Sequence, residues 1–166
     1  PPRVMDLVHD GWDLSKHTPG NTTLHLFGTD ISDAFHQVPL HPSEWRFTAA
    51  SFQGKYYVFK VLVFGSASAP TIWGRYAAFA GRSTSAICGR LGIRMQMYVD
   101  NPVFVATGSL EQAVRGITVA LLWFCILGLP LAWHKSDGGE SITWIGAHLS
   151  VSPETSRSPF QKTKSQ

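Results

Sequence analysis

Asp30 closes the apolar run "LHLFGTD" (Leu24 to Asp30), and Asp100 closes a second, "IRMQMYVD" (Ile93 to Asp100), seventy positions later. Two carboxylates held a few ångströms apart repel unless a cation sits between them. Oxygen-only donors favour a hard ion, Mg²⁺ or in its stead Mn²⁺, which keeps several waters and takes one or two carboxylates with substrate phosphates. A pair of such ions can activate an attacking hydroxyl and neutralise a leaving pyrophosphate. A plainer reading stands beside this one. Asp30 can cap a turn, and Asp100-Asn101 is good chemistry for a two-residue hairpin loop. For either Asp taken singly, the spacing favours the turn.

The elements that must position these residues follow from periodicity and turn signals. A strand is expected at Leu24 to Asp30. Between Pro39 and Leu62 the pattern is strand, turn, strand: "EWRFTAASF", then "QGK", then "YYVFKVLVF". Ser68-Ala69-Pro70 opens a helix over 70–88 that stops near Gly89. Strands at 93–99 and 102–107 flank the Asp-Asn hairpin. Ser109 starts a second helix over 109–127, with Gln112 completing a capping box and Gly128 as its C-cap. Leu110, Ala113, Val114, Ile117, Leu121, Phe124 and Cys125 share one face of it. Strands are expected near "GLPLAW" and at "SITWIGAHL", separated by "HKSDGGE". With 36–64 set aside, the order is that of a split βαββαβ unit. This predicts an α+β fold, an antiparallel sheet backed by two helices. The first strand is expected beside the strand leading into the hairpin, so that Asp30 and Asp100 meet. Residues 1–23, polar and broken by Pro19-Gly20, read as a lead-in, and 151–166, rich in Ser, Thr and Lys, as an unstructured tail.

With 166 residues, 44% hydrophobic and 15% charged, the chain is long enough and apolar enough for one folded domain. A net charge of +3 is compatible with a nucleic-acid partner. Cys88 and Cys125 lie apart in apolar helical contexts and read as buried thiols of a reduced, intracellular protein of the cytoplasm or nucleus. The seven histidines have no partners at zinc spacing. No secretory signal is present, so a secreted protein is not expected. The uncharged run from Ile117 to Trp133 is shorter than the ~20 residues a membrane span needs, and Gly128 and Pro130 interrupt it. Arg75 and Arg82, seven apart on one helix, form with Arg90 and Arg94 either a stripe toward phosphates or a merely solvated face.

Four strings, "LFGTDISDAFHQVPLHPSEWRFTAAS", "VFGSASAPTIWGR", "MYVDN" and "LPLAWHKSDGGESITWIGAHL", resemble in order and spacing a reverse transcriptase, with the nearest look to gypsy-like and DIRS-like retrotransposons. The resemblance covers about 24–150 and implies a polymerase palm with 36–64 as part of the fingers. It implies that Asp30 and Asp100 bind both metal ions, with the backbone carbonyl of Ile31 assisting. Asp33, Ala34 and Phe35 would lie under the incoming deoxynucleoside triphosphate, Phe35 repelling a 2′-OH; without the motif, Phe35 is a core aromatic. Phe64-Gly65 would border the nucleotide and template, where glycine allows close approach. Tyr98 and Asp100 match the "YxDD" hairpin. Lys135 matches a lysine that gives a proton to the leaving pyrophosphate, or is a solvated loop lysine beside Asp137. Trp144-Ile145-Gly146 matches the turn that supports the primer end.

Asn101 departs from the resemblance, since the family carries a second aspartate there. At ~4 Å and an effective dielectric of ~20, one charge pair contributes on the order of 4 kcal/mol before desolvation. A fraction of that is a tenfold loss in ion occupancy or rate, so weak or absent activity is expected. The 29 residues before Asp30 are too few for the fingertip hairpin, and the tail resembles neither a thumb nor an RNase H domain. The chain therefore reads as a fingers–palm fragment, the rest of the enzyme lying elsewhere in a longer polyprotein. The competing reading is a non-catalytic remnant that holds an RNA or DNA template and primer. An RRM-type sheet has the same element order, but "MQMYVDN" lacks its Gly-Phe/Tyr pattern.

Overall fold

The computed structural model describes residues 2–17, 23–151 and 160–163. In chain order the elements are α1 (Val4–His17), β1 (Leu24–Gly28), β2 (Ala49–Phe52), β3 (Lys55–Val58), α2 (Ala69–Cys88), β4 (Ile93–Tyr98), β5 (Asn101–Thr107), α3 (Leu110–Ile126), β6 (Asp137–Gly139), β7 (Ser141–Trp144), β8 (Ala147–Val151) and β9 (Phe160–Thr163). The chain divides into two compact units, Asp33–Tyr76 and the remainder, with the boundary inside α2.

The larger unit is built on an antiparallel sheet of order β4-β5-β1-β6, the α+β arrangement expected. One placement differs. β1 pairs with β5, the strand leaving the hairpin, with Leu26 opposite Val105 and Phe27 opposite Phe104; β4 is an edge. Val103, Phe104, Val105 and Ala106 are fully buried, so β5 is covered on both faces. Leu24, Leu26, Val103 and Val105 point to one side and pack with Leu7 and Leu14 of α1 and with Ile142, Trp144 and Leu149 of the β7–β8 hairpin. Phe104 points to the other, where Phe124 of α3 meets its ring at 6.2 Å.

Residues 1–23, expected as a lead-in, thus hold a core helix. Leu7, Gly11 and Leu14 recur at helical spacing and form its buried face, and the Asp6 carboxylate accepts the Arg3 N–H at its start. Burying each leucine stabilises by roughly 1.5–3 kcal/mol. Arg94, grouped above with Arg75, Arg82 and Arg90, is drawn to this helix, 3.5 Å from Asp13.

The α3 capping box forms as expected: Ser109 Oγ accepts the Gln112 N–H and Gln112 Oε1 accepts the Ser109 N–H. Its core face is shifted, however. Ala113, Gly116, Ile117, Ala120 and Phe124 are buried, whereas Leu110, Val114 and Cys125 are exposed. Small residues face the sheet because the helix lies close to it; a Cβ on Gly116 would collide with the Ile93 side chain. Cys125 is therefore not the buried thiol expected, while Cys88 is, and burial raises its thiol pKa.

The fourth strand also falls elsewhere than expected. "GLPLAW" contributes only a bridge, Leu131 to Ile31, and then a 3-10 turn over Trp133–Lys135; the strand is β6, drawn from the segment read as a connecting loop. Gly138 lies opposite Phe27, and a Cβ there would stand 2.9 Å from that ring. "SITWIGAHL" folds back on itself as β7–β8, and Phe160–Thr163, within the expected tail, pairs with β8 as β9. Residues 152–159 and 164–166 of that tail lie outside the described residues.

In the smaller unit a 3-10 turn at Pro42–Phe47 replaces the first part of the expected strand, capped by His41 Nδ1 accepting the Ser43 N–H. The β2–β3 hairpin follows. Its turn residues Gln53 and Gly54 both have positive φ (49° and 73°), the conformation of a type I′ loop.

Candidate active site

Immediately after β1 the backbone is stitched on both sides. The Thr29 N–H donates to the Pro102 carbonyl at 3.1 Å and the Ile31 N–H to the Asp100 carbonyl at 2.8 Å. On the other side the Ser32 N–H donates to Pro130 and the Ala132 N–H to the carbonyl of Asp30, each at 2.8 Å. Asp30 is thereby clamped between the hairpin and the segment after α3. The hairpin loop is Val99-Asp100, since Tyr98 pairs with Asn101. Val99 has φ 56°, an uncommon conformation for a β-branched residue, and such backbone strain concentrates at functional sites.

Each carboxylate has a protein partner. Lys135 Nζ, carried on the 3-10 turn, lies 3.2 Å from Asp30 Oδ2. The Asn101 side-chain N–H donates to Asp100 Oδ1 at 2.7 Å, and the Asn101 carbonyl accepts the Trp144 indole N–H at 3.1 Å. The structure thus gathers Asp30, Ile31, Asp100, Asn101, Lys135 and Trp144. Ile145 and Gly146 form the two-residue turn of the adjoining hairpin, both with positive φ (44° and 77°). Tyr98 is partly exposed at the end of β4.

Two residues of this site carried no signal in the sequence. Thr29 is buried and its hydroxyl lies 2.8 Å from that of Ser136, tying β1 to the residue after Lys135. Nothing in "GTD" or "KSD" marks that pairing in advance.

The other proposed site residues lie in the smaller unit or on α2. Asp33 has φ 50° and precedes the 3-10 turn that holds Ala34 and Phe35, both buried. The Phe35 ring meets Phe64 edge-on at 4.8 Å and lies 6.3 Å from Trp73. Phe64 is itself exposed, and Gly65 has φ 89°, accessible to glycine without strain. Arg75 and Arg82 are exposed along α2.

The donor set suits a hard divalent ion. It offers carboxylate oxygens from two neighbouring backbone positions, and Mg²⁺ takes one or two such groups and completes its shell with waters and phosphates. Among the described residues, no group of three or more His, Cys, Asp or Glu comes together as an all-protein cage. An ion held there would have to compete with the Lys135 ammonium and the Asn101 amide for the same oxygens.

An α+β domain whose antiparallel sheet sets the backbones of Asp30 and Asp100 side by side at one end is the class so defined. Residues 3–149 match the family described as reverse transcriptase (RNA-dependent DNA polymerase), and the chain belongs to that family. The enzymatic polyprotein of soybean chlorotic mottle virus is 26% identical over 144 residues, covering 86% of this chain and 20% of the relative. Among solved structures, the foamy viral protease–reverse transcriptase in complex with an RNA/DNA hybrid superposes with a TM-score of 0.62 at 16% identity, over 76% of this chain and 16% of that one. The dRH form of the same protein with double-stranded DNA gives 0.66 at 16% identity, over 76% and 21%. These likenesses are of fold, and the chain spans about a fifth of the curated relative's length.

Proposed function

We propose that this chain is the fingers–palm part of an RNA-directed DNA polymerase that adds deoxynucleotides to a primer 3′-OH, with activity reduced by Asn101. The observation that carries the reading is the 2.8 Å bond from the Ile31 N–H to the Asp100 carbonyl, which makes neighbours of Asp30 and Asp100. Asp30 and Asp100, with the Ile31 carbonyl, would hold Mg²⁺ or Mn²⁺, which supplies charge neutralisation at the attacking and leaving oxygens. The 3′-hydroxyl gives its proton to solvent and its oxygen attacks the α-phosphorus of the triphosphate, the bond to the β-phosphate breaks, and pyrophosphate leaves. Lys135, held at Asp30, is the proton donor for that leaving group. Asp33, Ala34 and Phe35 bind the nucleotide, with Phe35 limiting room at the 2′ position; Phe64-Gly65 borders it. Tyr98 and the Trp144-Ile145-Gly146 turn support the primer end, and Arg75 and Arg82 face the nucleic-acid backbone.

The strings quoted above support a gypsy-like or DIRS-like retrotransposon as the source. On this reading a thumb and an RNase H domain are supplied by other parts of a longer polyprotein. A second reading, a template-binding remnant without catalysis, is favoured by one observation: both carboxylates already have donors in Lys135 and Asn101.

The test is single-nucleotide extension of a labelled primer on RNA and DNA templates, with Mg²⁺ and with Mn²⁺. Native chain and Asn101→Asp run side by side. Extension by the native chain supports the polymerase; rescue only by Asn101→Asp makes residue 101 the lesion. Silence from both, with template still bound, favours the remnant.

A further inference from the structure

All eight residues of the β2–β3 hairpin are exposed, on both of its faces. A two-stranded ribbon with neither face covered is marginal in water, and this one carries large rings. Phe52 is 63% exposed, Tyr56 83% and Tyr57 48%. The register puts Phe52 opposite Lys55 and Ala50 opposite Tyr57, so Phe52, Lys55 and Tyr57 share one face. The hairpin and its approach add two cations held over rings: the Arg46 guanidinium lies 4.6 Å from the Phe47 ring centre, and Lys60 Nζ 4.9 Å from that of Trp45. From Trp45 to Val99 the sequence contains no Asp or Glu.

We propose that this hairpin is a stacking platform for an unpaired nucleic-acid strand, with Phe52 and Tyr57 taking base faces and Arg46, Lys55 and Lys60 the phosphates. Rings and cations interleaved at this spacing match what a single strand offers, a flat base and a negative charge at every nucleotide. A duplex keeps its base faces inside its own stack and leaves the rings unmatched. A protein partner would have to bring carboxylates for three cations, two of them lysines, a residue depleted from protein interfaces. The inference rests on the nucleic-acid reading above and deepens it, since an unpaired strand is the form in which a template is copied.

The experiment is fluorescence anisotropy on the full chain with a labelled single strand of roughly 16 nucleotides and its duplex. Tighter binding of the single strand is expected. Phe52→Ala with Tyr57→Ala should lose about tenfold or more of that affinity, the size of a lost base–ring stack. Duplex affinity should hold, and Phe52→Tyr with Tyr57→Phe should bind as the native chain does. Lys55→Ala and Lys60→Ala should each flatten the dependence of affinity on salt, which the ring changes leave alone. Photocrosslinking of an iodouracil-substituted strand to the native chain should label the peptide 45–60, a readout that needs no variant to fold. Unchanged single-strand affinity in the ring variant, or crosslinks confined elsewhere, would overturn the proposal. So would self-association of the native chain that the ring variant abolishes without losing strand affinity; the face would then be a protein interface. Primer extension reports separately: strand binding through the hairpin without extension sinks the catalytic reading alone, and extension with hairpin-independent binding sinks only this one.

Discussion

Lys135 Nζ stands 3.2 Å from Asp30 Oδ2, on a carboxylate only 16% exposed, while the lysine side chain itself is 55% exposed. The ammonium is thus the counter-charge of Asp30 in this structure and, on the proposed metal-binding reading, the group a divalent ion would displace. Because solvent screens it, Lys135→Ala should lower stability in chelator by no more than about 1 kcal/mol. The same variant should gain more than the native chain does when Mn²⁺ is added, read as the rise in unfolding midpoint. An equal or smaller gain would mean that lysine and ion do not compete.

Asn101→Asp removes the 2.7 Å hydrogen bond to Asp100 Oδ1 and sets a like charge beside it. In chelator the variant should be less stable by about 1 kcal/mol. Mg²⁺ or Mn²⁺ should reverse that loss, a result visible by thermal unfolding with no nucleic acid present. Stability that ignores both the substitution and the ion would speak against a metal at these residues.

Asp10, half-buried on α1, accepts the Gln96 side-chain N–H at 2.6 Å. Burial raises its pKa above the ordinary 3.8, outweighing the Gln96 hydrogen bond and the pull of Arg94. A raised carboxyl pKa favours the folded state most at pH below the unfolded value, and that contribution is lost as pH rises through the folded value. Asp10→Asn stays neutral and still accepts from Gln96. Its stability relative to the native chain should therefore increase from pH 3.8 toward neutrality, measured by urea unfolding across that range.

The two thiols should differ sharply. Cys88 is buried with its pKa raised by desolvation, and Cys125 is exposed on α3. Iodoacetamide should label Cys125 in the native chain and Cys88 only after denaturation, as peptide mass spectrometry would read. Equal labelling of both would contradict the packing of α2.

Gly116→Ala tests how closely α3 approaches the sheet. Alanine is the better helix former by about 1 kcal/mol, so an open site would be stabilised. Here the added Cβ meets the buried side chain of Ile93, and a net loss of about 1–3 kcal/mol is expected from overpacking. A stabilised variant would place the helix farther out.

What the sequence determined alone is what neighbours in the chain enforce. The α3 capping box, the Gln53-Gly54 turn and the order of β1, α2, β4, β5 and α3 all follow from local chemistry, whereas the Ile145-Gly146 turn falls within a segment that reads as a single strand. The motif strings point to the family, shown by the match over residues 3–149, because the residue types in them are specific in combination. The pattern "PVFVA" is apolar at every position, as suits a strand buried on both faces, whereas "IRMQMY" alternates. That contrast could have set β5, not β4, beside β1.

Tertiary structure decided the rest. The faces of α1 and α3 depend on which surface of the sheet each one meets, and Gly116 and Ala120 became core positions only because α3 lies close. β6 has almost no side chains to announce it, Asp137-Gly138-Gly139, and exists through backbone pairing with β1. The pairings of Lys135 with Asp30 and of Thr29 with Ser136 join residues more than a hundred positions apart. No local preference encodes such contacts; they arise when the sheet closes and leaves a charge or a hydroxyl with one partner in reach.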